Sequence, residues 1–171
     1  MDRLNAIEQS IFAEAEVADL YRELATAFYL LPAVQDFWQR LARSEAGHVL
    51  LLEFEKWRMV REEPAGQVKY ADPALLRQMK KFDDLRASLV HPLEFKPALA
   101  VALKAEEHCL RFHEERILLE EVGVTEAVLQ AIVDSEAEHM AVLNELIAAT
   151  DPAASLAGID LGRLGDYIAE L

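Results

Sequence analysis

Cysteine is almost absent from this chain. Cys109 is the only one in 171 residues, which excludes an intrachain disulfide and any metal module built on four cysteines. Cations are also scarce. Lys and Arg together number 17 against 31 Asp and Glu, a formal charge of -14 that argues against nucleic acid or an anionic membrane as partner. Long apolar runs are missing too, since charges interrupt every hydrophobic stretch well before 18 residues and no apolar leader follows Met1. No membrane association is expected, and a cytoplasmic location is the default. What remains is a chain with 53% hydrophobic residues, enough to bury the core of a single domain over residues 1–171.

Those hydrophobic residues recur at threes and fours, the period of amphipathic helices. The pattern predicts four long helices over about 5–29, 37–60, 95–121 and 125–149. Pro32 falls in the first connection, with Asp36 as a candidate cap for the second helix. A crossover of about 61–94 separates the second and third long helices and holds a shorter helix from about Pro73 to Arg86. A tail of about 150–171 follows, with a short C-terminal helix around Asp166 to Glu170.

Acidic residues break into the apolar faces at four places. Glu14 lies in the stripe of Ile7, Ile11, Val17, Ala18, Tyr21 and Leu24, whereas Glu16 groups with Asp19 and Glu23 on a solvated side. Glu45 shares a face with Trp38, Leu41, His48 and Leu52. Glu106 sits among Leu99, Ala102, Leu103, Cys109 and His113, and Glu136 among Leu129, Ile132, Met140 and Leu143. The second and fourth helices each carry Glu-x-x-His, as Glu45/His48 and Glu136/His139, and residues three apart on a helix share a face. Glu14 to Glu45 and Glu106 to Glu136 are nearly equal steps, so the chain reads as two related helical hairpins.

Four carboxylates and two imidazoles cannot sit uncompensated in an apolar interior, because each buried ion costs several kcal/mol. Two divalent cations would balance them, and the oxygen and nitrogen donors suit iron, with manganese or zinc as alternatives. A single Glu-x-x-His pair arises often by chance; six ligand-type residues on four inward faces do not. Glu45 and Glu136 are assigned as bridging ligands, Glu14 and Glu106 as terminal carboxylates, and His48 and His139 as one nitrogen ligand per ion. Tyr21, two turns after Glu14, is placed to hydrogen-bond a ligand carboxylate, though an ordinary core tyrosine fits the same spacing. His113, in the equivalent place after Glu106, reads as a hydrogen-bond donor to a ligand, an extra ligand or a bundle-end histidine. Cys109 could lie near the ions or serve as a small buried hydrophobe. His91 and His108 read as loop or surface residues.

This ligand set resembles that of the rubrerythrin-like branch of the ferritin-like di-iron carboxylate superfamily, across roughly residues 5–149. Tyr21-Arg22-Glu23-Leu24-Ala25 looks like part of the family's first helix, and Leu41-Ala42-Arg43-Ser44-Glu45-Ala46-Gly47-His48 like its second. The resemblance implies an all-α, antiparallel four-helix bundle with a long crossover, a di-iron centre, and an oxidoreductase reducing hydrogen peroxide or dioxygen, the chemistry of an oxidative-stress defence. It also implies an electron donor, here an external rubredoxin-like protein, because the single cysteine leaves no room for a built-in one. Homodimers are common for this class of fold, so a homodimer is expected. In rubrerythrins proper a second glutamate stands where this chain has Cys109, so the ligand exchange tied to that glutamate is not implied here. Bacterioferritin shares the six ligands, which makes ferroxidase and iron storage the rival reading. Its haem-binding methionine follows the helix-two glutamate, where this chain has Ala46, and no haem is expected. A scaffold bundle stabilised by metal is the third reading.

Overall fold

The computed structural model describes residues 3–62, 73–89, 93–117 and 124–150, and every element among them is an α-helix. The helices are α1 (Arg3–Ala27), α2 (Pro32–Glu62), α3 (Pro73–Ala87), α4 (Phe95–Ile117) and α5 (Val124–Ala149). α2 starts five residues before the expected position. Proline has no N–H to lose in a first turn and its fixed φ suits the helix, so Pro32 opens α2 instead of lying in the connection. The turn before it is closed by Leu31 N–H to the Phe28 carbonyl and Gln35 N–H to the Leu31 carbonyl. Asp36 therefore does not cap; it lies inside the helix and pairs with Arg40 at 3.1 Å and Arg43 at 3.8 Å. The expected crossover likewise loses residues 61 and 62 to α2. The stretch 118–121, His91 and the expected C-terminal helix lie outside the described residues.

α1 packs mainly on α2 and α4 on α5, and the two hairpins meet through α1 on α4 and α2 on α5. Side-chain contacts fix the directions. Glu14 meets His48 and Glu8 meets Lys56, so α1 and α2 run antiparallel. Tyr21 reaches Glu106 and Glu14 reaches His113, which makes α1 antiparallel to α4. Thr125 Oγ1 donates to Glu55 at 2.5 Å and Ser44 meets His139, so α2 and α5 are antiparallel; Lys96 Nζ donates to the Thr150 carbonyl and His113 lies near Glu136, which reverses α5 against α4. The order is thus up, down, down, up. Two consecutive long helices pointing the same way need a connection as long as the bundle, and residues 63–94 supply it. α3 within that stretch lies against α4 and α1. Arg86 of α3 takes Glu16 as its ion-pair partner, so Glu16 is tied to α3 and is not freely solvated.

Two apolar clusters fill the bundle. The larger joins Ala13 through Ala25 of α1, and Phe28 just beyond it, to Val34–Ala42, Ala98–Phe112, Leu143 and Leu146, and includes stacked Tyr21 and Trp38 with centroids 5.7 Å apart. The smaller consists of Ile7, Leu52, Leu129 and Ile132 at the opposite end. Between them the four inward faces carry glutamate and histidine. α2 also exposes Leu50, Phe54 and Trp57 on its outer side. Among the described residues no helix is long and apolar enough to cross a membrane.

Candidate metal centre

Glu14, Glu45, His48, Glu106, Glu136 and His139 all lie in the interior between the two apolar clusters. Each is brought there by helical spacing: a buried apolar residue lies three or four positions away, Val17 for Glu14, Leu41 for Glu45, Leu52 for His48, Ala102 for Glu106, Ile132 for Glu136 and Leu143 for His139, so the polar side chain is carried inward with it. The four glutamates are fully buried, and His48, with a side chain 10% exposed, is the member nearest solvent. Any molecule that reaches the centre must therefore be small.

The residues gather into three overlapping groups, each with donor atoms within 4.8 Å of one another. In the first, His48 Nδ1 lies 3.0 Å from both Glu14 Oε2 and Glu45 Oε2. In the second, His139 Nδ1 lies 2.8 Å from Glu45 Oε1 and 3.4 Å from Glu106 Oε1. Glu45 belongs to both, the position of a carboxylate shared by two ions. The third group joins Glu14 and Glu136 to Cys109 and His113. Glu14, assigned from sequence as terminal, thus stands in two groups, while Glu136, assigned as bridging, stands only in the third.

Both Glu-x-x-His imidazoles present Nδ1 to the carboxylates. His139 Nε2 lies 3.0 Å from Ser44 Oγ, a contact that orients the ring as partners of ligating histidines do. Ser44 was not singled out from the sequence. Its signal is its place beside Glu45, one residue and therefore about 100° round the helix, toward α5. Tyr21 donates its phenol to Glu106. His113 hydrogen-bonds Glu14, and its Nε2 is 3.5 Å from Glu136 Oε1. These two contacts mirror each other: Tyr21 follows Glu14 and holds Glu106, and His113 follows Glu106 and holds Glu14. Cys109 donates its thiol to Glu14 Oε1 at 3.5 Å, so it faces the polar centre as well as the core. His108 is partly exposed beside Lys81 and Phe82.

Electrostatics show a cluster short of positive charge. Burial, with the nearby charges of Glu106 and Glu14, pushes the Glu45 carboxyl up to about 8. Burial and the fields of Glu14 and Glu106 push Glu136 up to about 12. Burial would also raise Glu14, but hydrogen bonds from His113 and His48 outweigh it and hold that carboxyl well below the usual range. Burial alone would lower the two imidazoles; hydrogen bonds to Glu14 and Glu45 raise His48 to about 10, and those to Glu106 and Glu45 raise His139 to about 11. Without metal, protons stand where cations would. Glu106 Oε2 and both oxygens of Glu136 are buried with no hydrogen-bond partner. Orphaned carboxylate oxygens are rare in protein interiors, and here they are aimed among imidazole nitrogens. The donor set of oxygen, nitrogen and one sulfur fits a divalent transition ion. Comparison of the chain with family models, characterised proteins and solved structures returned no match.

Proposed function

We propose that this is a ferritin-like di-iron carboxylate protein of the rubrerythrin-like kind, which reduces hydrogen peroxide or dioxygen with electrons from an external donor. One observation carries the reading: two Glu-x-x-His pairs and two further glutamates, from four helices, converge in a buried cluster with unsatisfied oxygens and inward-facing Nδ1 atoms. The up, down, down, up order of the long helices supports the ferritin-like part of it.

Two iron ions would supply the electron transfer, cycling between diferrous and diferric states. Glu14, Glu45 and His48 would hold one, Glu45, Glu106 and His139 the other, with Glu45 shared. The protein's own contribution is rigidity and exclusion. Tyr21 fixes Glu106, Ser44 fixes the His139 ring, and burial of every donor except the edge of His48 keeps bulk water out while admitting an oxidant of two heavy atoms. Turning peroxide into two waters consumes two electrons and two protons. The electrons come from the iron pair and its external donor, and the protons enter from solvent past the edge of His48, the donor nearest the surface.

The test is anaerobic loading with two equivalents of iron(II), then addition of peroxide under stopped flow. Rapid oxidation of both equivalents is expected in the wild type, with loss of the fast phase in Glu45→Gln. Equal rates in the two proteins would end the oxidoreductase reading. An external reductant that restores the iron(II) form for a second cycle separates turnover from one-time iron uptake.

A further inference from the structure

The third group of donors is not explained by the Glu-x-x-His pattern. Cys109 and His113 lie one turn apart on α4 and face the same way, Glu14 comes from α1, and Glu136 comes from α5. All four side chains are fully buried. Glu136 joins this group and not that of His139, its partner in the motif; its Oε1 is 3.5 Å from His113 Nε2. Cys109 Sγ is 3.5 Å from Glu14 Oε1 and 3.5 Å from His113 Nε2. Around a tetrahedral ion, ligand atoms are separated by about 1.6 times the bond length, roughly 3.3–3.7 Å for bonds of about 2.0–2.3 Å. Three of the contacts in the group have that spacing. The fourth, His113 to Glu14, is a hydrogen bond whose proton an ion would replace. Both oxygens of Glu136 are buried without a hydrogen-bond partner.

We propose that Glu14, Cys109, His113 and Glu136 form a distinct position for a zinc-type divalent ion, with the Cys109 thiolate as a ligand, beside the two Glu–Glu–His positions. Sulfur and imidazole together select borderline ions such as zinc, cobalt(II) or iron(II) over magnesium and calcium. Two carboxylates and a thiolate carry three negative charges, and one divalent ion would leave a net charge of -1 at the position. The thiol is held neutral by burial and by the surrounding glutamates, and an ion takes the place of its proton: the S–H bond breaks, a sulfur–metal bond forms, and the proton leaves to solvent. No oxidation is involved. The position shares Glu14 with the proposed iron pair but requires no redox activity of that pair.

Cobalt(II) is the probe, because thiolate ligation gives a near-ultraviolet sulfur-to-cobalt absorption that carboxylate and imidazole ligands lack. Titration of metal-free protein is expected to raise this absorption to saturation within three equivalents per chain, since the two Glu–Glu–His positions compete for the ion, with an amplitude of one thiolate ligand per chain. Cys109→Ser should abolish it, and His113→Gln should weaken the underlying affinity at least tenfold. His48→Ala combined with His139→Ala, which strips a ligand from each Glu–Glu–His position, should leave it in place. Cobalt bound by the wild type without a sulfur absorption overturns the proposal, and that result needs no variant to fold. Loss of the absorption in the double histidine variant, if circular dichroism shows it folded, also overturns it by assigning the thiolate to the iron-pair positions. Failure of the peroxide reaction leaves this spectrum untouched, so the two readings fail separately.

Discussion

Replacing Glu45 by glutamine is expected to stabilise the metal-free protein while removing its response to metal. Glu45 is fully buried, and burial with the charges of Glu106 and Glu14 raises its carboxyl from 4.5 to about 8. At pH 7 the folded protein keeps the proton and the unfolded chain has released it. The two and a half pH units between 4.5 and 7, at about 1.4 kcal/mol each, amount to a folding penalty of roughly 3 kcal/mol. Glutamine has the same shape and never ionises, so the penalty disappears. Its one carbonyl cannot face both His48 and His139 as the two carboxyl oxygens do, at 3.0 and 2.8 Å, and losing one such contact returns about 1–2 kcal/mol. The net gain is about 1–2 kcal/mol, or roughly 2–8 °C in Tm for a chain of this size. The sign follows from a raised folded-state value: the Glu45 contribution is fully favourable below 4.5, where both states hold the proton, and is lost as pH rises toward 8. The difference between variant and wild type should therefore be smallest near pH 5 and grow to pH 8. Thermal melts followed by circular dichroism, at one-unit pH steps in chelator and then in manganese(II), measure both effects. With ion at about 100 times its Kd the wild type should gain about 2.7 kcal/mol, and the variant little, since Glu45 serves both Glu–Glu–His groups. A variant that melts below the wild type at every pH, or one that gains as much from manganese, would refute the reasoning.

Three further outcomes are expected. Ser44→Ala frees His139 Nε2, and manganese(II) affinity measured by calorimetry should fall by about tenfold or more while the metal-free melt moves little. Glu55→Gln weakens the pair with Arg58 on the same helix and the bond that ties Thr125 of α5 to α2; these hydrogen bonds, Arg58 foremost, hold the Glu55 carboxyl below its ordinary value. Its stabilising effect is present above the ordinary carboxylate range and lost as pH falls, so urea titrations should show a deficit of about 1–2 kcal/mol at pH 7 that closes in acid. Trp38→Ala removes a fully buried ring packed against Tyr21, Phe37 and Phe95, and should cost about 3–5 kcal/mol in the same titrations.

The period of the hydrophobic residues was enough to find the helices, because a stripe that recurs every three to four positions admits one regular backbone. It was also enough to pick Glu14 over Glu16 and Glu136 over Glu138, since each choice depends only on which face of a single helix carries the apolar neighbours. The start of α2 was misread. Pro32 is equally acceptable in a turn and in a helix's first turn, and the choice is made by packing of Val34 and Phe37 into the larger core.

Faces and spacings are properties of one helix, and at that level the chain declares an all-helical protein with glutamate and histidine turned inward. Which donors share a point is a property of how helices are rotated and shifted against each other, and no single helix encodes it. That relative placement alone brought Cys109 and His113 to Glu14 and Glu136, set Ser44 against His139, and put Glu45 between the two imidazoles. Side-chain packing at the interfaces decides it, because a shift of one turn, about 5.4 Å, would move every donor out of reach of its present partners.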